Sequence, residues 1–485
     1  MKQIMRRKNR ITGSKPAMGR LQAGVAQVDI TPTAGIQLSG AAQTRRPASL
    51  VLDPLYAKAL VFECNGRKIC FVALDLCLMT REYCSQIRQA AVDRFGFDFE
   101  AVMIHPIQIH SAPSMGHFIL TEEFKGVPPQ FAWLRGDDER YNPSAVKRII
   151  EAIRLANESL QPVQVGVGSG IEGRMASNRR AVMRDGTVSM PGFWNPWDAP
   201  LGPTGIRYLE GPIDPELGVL CVRTDSLRIL ALLVNYTCHP VVVFCRNPRG
   251  GVVSADWPGA LANELRKTCG KETVPLVLNG ACGNINPWNP FDPDYGKGDH
   301  QRMGGVLGDM ARKVVDSMTF KDEGILDWKV KRLKIPIRDV NHQQLEEARR
   351  MLAEHPEPVW TNKEQTLADW EWVHAALVWN VHLIRQREPE LDYEIQVFRI
   401  GESAFVSLPG EPFVEGGLRI KLASPTYPTY IVHCTNQYVG YIPIKEAFER
   451  GGHEIETTTW AKLVPEALDM IVEAATDLLN EVFSS

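Results

Sequence analysis

The segments LYAKALVFEC (55–64) and KICFVALDL (68–76), with the amphipathic segment near residues 80–95 that follows them, decide the fold class. Both short segments are rich in β-branched or apolar residues and end near Gly, Asn, Asp or Pro, which is the composition of strands. The segment after them predicts a helix. Strands that alternate with helices along a chain predict a layered α/β core.

The same alternation continues in both directions along the chain. Further strands are predicted at 22–30, 101–105, 163–168, 217–223, 228–237 and 274–280, and helices near 143–160, 256–269 and 303–318. EIQVFRI, SAFVSLPG and TYIVHCTNQY return to strand, and residues 464–483 carry an apolar stripe typical of a helix. We expect one α/β domain of layered mixed sheets with surrounding helices over residues 21–485, with a helical excursion at about 340–390.

Composition excludes several classes of protein. The 485 residues include 54 Lys+Arg and 57 Asp+Glu, for a net charge of -3, and 44% are hydrophobic. This is ordinary globular composition, and its charge balance argues against a nucleic-acid partner. No apolar stretch approaches about 18 residues, so we expect no membrane partner. A small-molecule substrate is expected, and homo-oligomer formation is left open.

The charge pattern of the N-terminal residues and the spacing of the cysteines bear on the cellular compartment of the protein. No acidic residue precedes Asp29, and no apolar region follows the basic residues, so residues 1–20 predict a disordered basic tail and not a secretory signal. The ten cysteines form no Cys-x-x-Cys pair and several lie in apolar runs. Reduced thiols in the cytoplasm fit this usage better than a disulfide framework.

Five segments place polar side chains where apolar strands end. They hold His110 in IHPIQIHSAPSMGHF, His239 in TCHP, Glu411 in LPGEPF, two tyrosines around Gly440 in CTNQYVGYIP, and a glycine pair in NGACGNINPWNP (279–290). Ligands of α/β proteins bind at the carboxyl ends of strands. Each segment also has an ordinary structural interpretation, such as a core histidine or a glutamate in the first turn of a helix.

Taken in order, these segments resemble the motifs of a known family. GVAQVDITP (24–32), VALDLCLM (72–79), IQIHSAPSMG (107–116), ASNRRAV (176–182), LPGEPF (408–413) and YVGYIPIKEAFERGGHE (438–454) are similar to motifs of the neutral/alkaline non-lysosomal ceramidases. The resemblance spans about residues 22 to 470. It implies the fold of that family's catalytic domain, and leaves the family's further C-terminal β-domain without a counterpart in this chain.

The resemblance also implies a site. In that family two His, one Glu and one Tyr hold zinc, and a metal-bound water attacks an amide. His239, Glu411 and Tyr441 match three ligands, and Gln108 stands at the position of the other His. Arg179 matches an active-site arginine. An amide oxygen is a weaker zinc ligand than imidazole, so zinc binding is expected to be weakened. His105 is an alternative nitrogen donor, although strand spacing points it to the other face.

Three other positions complete the implied site. His110 matches the second His of the family's His-Thr-His segment and is expected to carry a proton or contact substrate. Asn286 stands where the family has a serine, and His453 where it has a tyrosine. The resulting hypothesis is a metal-dependent hydrolase that cleaves an amide or glycosidic bond in a small polar substrate, not ceramide. Arg179 and His453 would stabilise the developing charge.

Two alternatives remain open. Without metal, Glu411 could form a glycosidase carboxylate pair with Asp75, which ends a strand, or with Asp256, which opens a helix. The chain could also bind a ligand without catalysis. Asn286 and the loop aromatics Trp194 and Trp288 are expected to bind substrate, because such side chains suit a polar ring.

Overall fold

Three mixed sheets form the centre of the computed structural model, which describes residues 16–191, 205–291 and 299–484. The first sheet has the order β4-β3-β2-β1-β5 and consists of β1 (Gln22–Asp29), β2 (Tyr56–Cys64), β3 (Arg67–Leu74), β4 (Val102–Pro106) and β5 (Gln161–Pro162). The second has the order β9-β8-β7-β6-β10 and consists of β6 (Gln164–Ile171), β7 (Glu216–Arg223), β8 (Ile229–Tyr236), β9 (Val274–Asn279) and β10 (Phe320–Lys321). The third has the order β11-β12-β13-β14 and consists of β11 (Leu326–Pro336), β12 (Glu390–Ile400), β13 (Ser403–Ser407) and β14 (Thr429–Val432).

The layered α/β prediction is therefore confirmed, and helices cover the sheets. They are α1 (Arg81–Phe95), α2 (Asn142–Glu158), α3 (Val242–Arg246), α4 (Asp256–Cys269), α5 (His300–Asp316), α6 (His342–Glu354), α7 (Trp370–Arg387), α8 (Val414–Ala423) and α9 (Ala467–Phe483). The α2 helix packs on the first sheet, α5 on the second and α9 on the third. The central strands are mostly apolar because both of their faces are buried.

The sheets share one interior. Phe71 of β3 makes edge-on ring contacts with Phe398 of β12 and Phe405 of β13, with centroids 5.2 and 4.9 Å apart. Edge-to-face pairs of buried rings add to the free energy gained by burial itself. The first and third sheets are thus packed against each other through aromatic side chains.

Each sheet contains one parallel pair, and the carboxyl ends of these pairs meet. The pairs are β3/β4, β8/β9 and β13/β14. His105 of β4 donates from Nδ1 to the carbonyl oxygen of His433 after β14, at 2.8 Å, and its Nε2 accepts from the backbone N–H of Asn279 at the end of β9, at 3.0 Å. One buried imidazole therefore ties together the strand ends of all three sheets.

Shorter strands extend these ends. Glu411–Pro412 pairs in parallel with Tyr441–Ile442, and Ser177–Asn178 pairs antiparallel with Ile285–Asn286. Leu50–Val51 pairs with Val252–Val253, and Val188–Ser189, Ala181–Met183 and Ile206–Leu209 form a small sheet. These segments carry the polar side chains beyond the main sheets.

The predicted tail needs one correction. Gly19–Arg20 pairs with Glu323–Gly324, so the end of the segment predicted to be disordered belongs to the folded domain. Residues 1–15 lie outside the described residues. All ten cysteines are free thiols. Within residues 16–191, 205–291 and 299–484, no helix is long and apolar enough to cross a membrane.

The region predicted as a helical excursion lies between β11 and β12. It contains α6 and α7, which begin after capping side chains: Asn341 accepts from the N–H of Gln343, and Asp369 accepts from the N–H of Trp372. Trp372 is buried in the contact with α6 and the neighbouring loops, whereas Trp370 is 39% exposed.

Candidate functional site

A cavity of about 380 Å³ opens beside the meeting point of the strand ends. The residues that line it are Gly40, Ala41, Ala42, Gln43, Cys77, Leu78, Gln108, His110, Phe118, Ile119, Arg179, Met190, Trp370, Glu411, Tyr438, Tyr441, His453 and Trp460. They come from segments far apart in the chain. Six positions singled out from the sequence are among them: Gln108, His110, Arg179, Glu411, Tyr441 and His453. His239 is not part of the lining and reaches the site through its contact with Glu411.

His239 and Glu411 form the polar centre of the site. His239 Nε2 lies 3.2 Å from Glu411 Oε2, and both residues are buried. His239 Nδ1 lies 3.1 Å from the carbonyl oxygen of Ile285, which can only accept, so Nδ1 carries the proton. Tyr438 donates its O–H to Glu411 Oε1 at 2.8 Å and fixes the carboxylate.

The charges of this pair follow from its surroundings. Burial and the charge of Arg179 lower the pKa of His239, so the imidazole is neutral. Burial raises the pKa of Glu411, but its polar contacts with His239 and Gln108 and the charge of Arg179 outweigh it, so the net pKa shift is downward. Because neutral His239 carries its proton on Nδ1, its Nε2 has no proton and faces an ionised oxygen of Glu411.

This arrangement fits a metal ion. Two acceptor atoms 3.2 Å apart repel each other unless a cation lies between them. Tetrahedral zinc with bonds of about 2.0–2.2 Å places its nitrogen and oxygen ligands roughly 3.2–3.5 Å apart. The Nδ1–H bond to a backbone carbonyl is also the usual support of a metal-binding histidine.

The remaining donors are weaker. Gln108 offers only an amide as a ligand. Its backbone lies in the left-handed region, with a φ of 73°. Burial raises the pKa of Tyr441 well above its ordinary value, so the phenol stays protonated. No group of three or more His, Cys, Asp or Glu suited to a metal occurs in the described part of the chain. The donor set therefore supports a metal through one imidazole and one carboxylate, with Gln108 and Tyr441 beside them.

Tyr441 is positioned by the backbone around Gly440. Its N–H donates to the carbonyl oxygen of Trp460 at 2.7 Å. Gly440 has a φ of 97°, and a Cβ there would lie 2.4 Å from that same oxygen. Glycine is required because no side chain fits this approach. The Val-Gly-Tyr sequence thus fixes the phenol at the cavity wall.

Arg179 is held by a buried network. Its Nε donates to Glu454 at 2.7 Å, and Nη1 lies 3.4 Å from both His239 Nε2 and Asn286 Oδ1. Arg180 donates to the other oxygen of Glu454 at 2.7 Å. Burial alone would lower the pKa of Arg179, but Tyr441 and Glu454 outweigh it and raise the pKa. Arg179 is therefore a fixed cation at the cavity.

His110 and His453 complete the wall. The His110 ring lies 5.9 Å from that of His239, centroid to centroid, and burial lowers the pKa of His110 to about 3. Burial also lowers the pKa of His453, whose ring lies 5.6 Å from Tyr441 and 5.9 Å from Trp460. Both imidazoles are neutral near pH 7 and can accept or donate a hydrogen bond.

Asp75 and Asp256, predicted as partners of Glu411 in a carboxylate pair, hold structural positions. Asp75 accepts from Lys58 Nζ at 2.8 and 2.9 Å in a buried ion pair. Asp256 opens α4 and accepts from the N–H groups of Val243 and Trp257, each at 2.8 Å. Neither residue lines the cavity. The structure therefore does not bring either carboxylate to Glu411, because each one already serves a nearby donor.

The residues predicted to bind substrate are placed differently. Asn286 touches Arg179 but does not line the cavity. Trp288 packs against Val241, Phe244 and Cys245, also outside the lining. Trp194 lies outside the described residues. His105, the alternative metal ligand, is used at both ring nitrogens by the strand ends.

Sequence reasoning missed several wall residues. Phe118, Trp370 and Trp460 line the cavity, and Glu454 anchors Arg179. The tandem arginines 179 and 180 were a usable signal, since two buried guanidinium groups need a buried carboxylate. Trp370 lies on α7 two residues before the buried Trp372 and is 39% exposed, so it faces the cavity and not the core.

Comparison with known proteins agrees with this architecture. No protein-family model and no curated protein matches the chain. Among solved structures, neutral ceramidase from Pseudomonas aeruginosa superposes with a TM-score of 0.69 at 18% sequence identity, covering 96% of this chain and 75% of that one. A ceramidase complexed with C2 gives a TM-score of 0.67 at 17% identity, with the same two coverages. The fold is that of neutral ceramidase.

The neutral-ceramidase fold confirms the resemblance stated from the motifs. It extends over nearly the whole chain despite the low identity. The chain thus shares the fold of neutral ceramidase. Its departures from the family motifs, Gln108, Asn286 and His453, all lie at or beside the cavity.

Proposed function

We propose that this protein is a hydrolase that cleaves an amide bond in a small polar substrate at the cavity around His239 and Glu411. The observation that supports it is the 3.2 Å pair of bare acceptor atoms beside a fixed guanidinium. The glycosidic alternative is less favoured, because Glu411 is the sole carboxylate among the described residues that line the cavity. Glycosidases of the usual type need two.

The metal site has a defined part in this proposal. His239 Nε2 and Glu411 Oε2 would hold the ion, with Gln108 and Tyr441 beside them. When bound, it supplies an activated water and polarises a carbonyl group. Zinc is the ion that the family resemblance implies, and the weaker donors predict that it binds less tightly than at a site with two imidazoles.

The protein's own residues have separate roles. Tyr438 keeps Glu411 oriented through its 2.8 Å hydrogen bond. Arg179, held by Glu454, stabilises negative charge on the reacting carbonyl oxygen. His110, neutral at pH 7, accepts the proton that the attacking water loses and passes it to the leaving amine. His453, whose ring lies 5.6 Å from that of Tyr441, contacts the same charge.

The test is turnover of N-acyl amides, followed as released amine, in the presence of added zinc. Glu411→Gln should lower the rate by at least about 100-fold, as expected for loss of a group that acts in the transition state. Glu415→Gln is the matched control: Glu415 is half-buried, lies four residues along the chain, and accepts from Asn284 at 3.0 Å outside the cavity. Its variant should keep the rate within about twofold. Equal rates for the two variants would refute the proposed role of Glu411.

A ligand-binding protein without catalysis is the remaining candidate. Two results would identify it: the unmodified chain turns over no amide, and the Glu411→Gln variant still binds the ligand. The cytoplasmic location and homo-oligomer formation stay predictions of the sequence.

A further inference from the structure

Two N–H groups at the cavity wall have no acceptor. Arg179 Nη2 and Trp460 Nε1 are both buried, and neither has a hydrogen-bond partner within the described residues. Both residues line the cavity. A buried donor without a partner costs about 1–3 kcal/mol, so native proteins rarely keep one without a use. Two such donors on one wall suit a ligand that brings acceptor atoms.

The charge of the surrounding wall points to the kind of acceptor. Arg46 donates to the carbonyl oxygen of His110 at 3.0 Å, and Lys462 donates to those of Val439 and Thr459 at 2.7 Å. Both cations are buried, and neither forms an ion pair with a carboxylate of the described segments.

A third cation repeats this pattern. Arg338 donates to the carbonyl oxygens of Ile455 and Ala461, each at 2.6 Å, likewise without a described carboxylate partner. All three side chains bind backbone at or next to residues of the cavity wall. Uncompensated charge in a low-dielectric interior acts over long distances, so the wall favours an anion.

Aromatic side chains form another part of the wall. Phe118 and Tyr438 make an edge-on ring contact, with centroids 5.6 Å apart, and Trp370 reaches the same cavity from α7. A volume of about 380 Å³ suits a small molecule and not a long chain. The ligand should therefore combine a compact anion with an apolar or planar group.

We propose that the substrate is an N-acyl amino acid, whose carboxylate is received by Arg179 Nη2 and Trp460 Nε1. This inference rests on the proposed amide hydrolysis at the same site. Water adds its oxygen to the acyl carbon, the C–N bond breaks, and the nitrogen leaves with a proton as the free amino acid. The products are a carboxylic acid and an amino acid, and no oxidant or reductant is needed.

The test measures binding, by isothermal titration calorimetry on the full chain, and not turnover. N-Acetyl-L-phenylalanine should bind at least about 10-fold more tightly than N-acetyl-L-phenylalaninamide, which lacks the carboxylate, because a hydrogen bond to a charged group contributes about 1.5–3 kcal/mol. Methyl glucuronide carries the same anion on a sugar and should bind no better than the neutral amide. Tighter binding of the glucuronide would overturn the assignment to amino acids.

Conservative variants locate the subsite. Trp460→Phe keeps the ring and removes only the N–H, and should weaken binding of the acid about 10-fold without changing that of the amide. Arg179→Gln should weaken it further. Trp257→Phe is the matched control: it removes another buried indole N–H that has no partner among the described residues but lies outside the cavity lining, and it should leave both affinities unchanged. If Trp460→Phe binds the acid as tightly as the unmodified chain, or if acid and amide bind equally, the carboxylate subsite is refuted.

The two proposals fail in different ways. Selective binding of the acid without release of amine would refute the hydrolase and keep the carboxylate subsite. Turnover of neutral amides with no preference for the acid would do the reverse.

Discussion

His105 and Arg179 are both fully buried polar side chains near the carboxyl ends of the strands, yet their surroundings differ. Both ring nitrogens of His105 have backbone partners on neighbouring sheets. Arg179 lies on the cavity side, where its Nη2, His110 Nδ1 and Trp460 Nε1 have no partner among the described residues. A satisfied buried group contributes to stability, whereas an unsatisfied one beside a cavity is free to bind a ligand. Burial alone does not separate the two.

The largest expected effect comes from removing His105, whose two ring nitrogens both have backbone partners. His105→Ala leaves the N–H of Asn279 and the carbonyl group of His433 without that partner and opens a cavity, so the free energy of unfolding should fall by about 3–5 kcal/mol. Urea denaturation measures it. His110→Ala removes the same side chain from the cavity side, where Nδ1 has no partner, and should cost about 1–2 kcal/mol. Equal losses would contradict the comparison.

A pH experiment tests the anchor of Arg179. Burial raises the pKa of Glu454, but the charges of Arg179 and Arg180 outweigh it and lower the pKa from 4.5 to about 2. The unfolded chain takes up this proton at higher pH than the folded chain does. Stability from Glu454 is therefore present above about pH 4.5 and is lost as the pH falls toward 2, by up to about 3 kcal/mol.

The variant Glu454→Gln removes that contribution. The free energy of unfolding of the unmodified chain, measured in urea between pH 5 and pH 2.5, should fall more steeply than that of the variant, because all other titrating groups are shared. Parallel slopes would show that Glu454 is not held ionised by the two arginines.

An imidazole at position 108 tests whether this residue belongs to the metal site. Gln108→His should raise zinc affinity about 10- to 100-fold, the size of change that ligand-sphere substitutions produce. Histidine is among the side chains that tolerate a positive φ, so the backbone of residue 108 should accept it. Equilibrium dialysis with elemental analysis measures the ion. Gln437→His, outside this cavity, is the control, and an equal gain there would mean that the site does not include residue 108.

The smallest expected effect concerns Cys77, which lines the cavity. Burial raises the pKa of this thiol to about 12. The thiolate is then absent near neutral pH, so iodoacetamide should leave Cys77 unmodified in the native chain, as judged by mass spectrometry of peptides. Rapid modification would mean that the cavity holds an activated thiol instead of a metal-dependent site.

The local sequence pattern was enough to predict the strands and helices. The run at 228–237 became β8 (Ile229–Tyr236), and the helix near 80–95 became α1, because apolar periodicity records which faces are buried. The likeness of the fold to neutral ceramidase also followed from short motifs. These features are local in sequence or are carried by residues close together in the chain.

The partners of buried charges could not be predicted in this way. Arg179 meets Glu454 across 275 positions, and no local pattern encodes that contact. Asp75 looked like a catalytic carboxylate because it ends a strand, and only the pairing of β2 with β3 places Lys58 on it. A side chain's role depends on which distant groups satisfy it, and that depends on the tertiary fold.

The insertion between β11 and β12 leaves and rejoins the third sheet at adjacent points, since Pro336 pairs with Glu390 in an unbroken register. It nevertheless brings Trp370 to the cavity. Substitutions at Trp370 could therefore change the shape of the cavity wall while the pairing of β11 with β12 keeps its register.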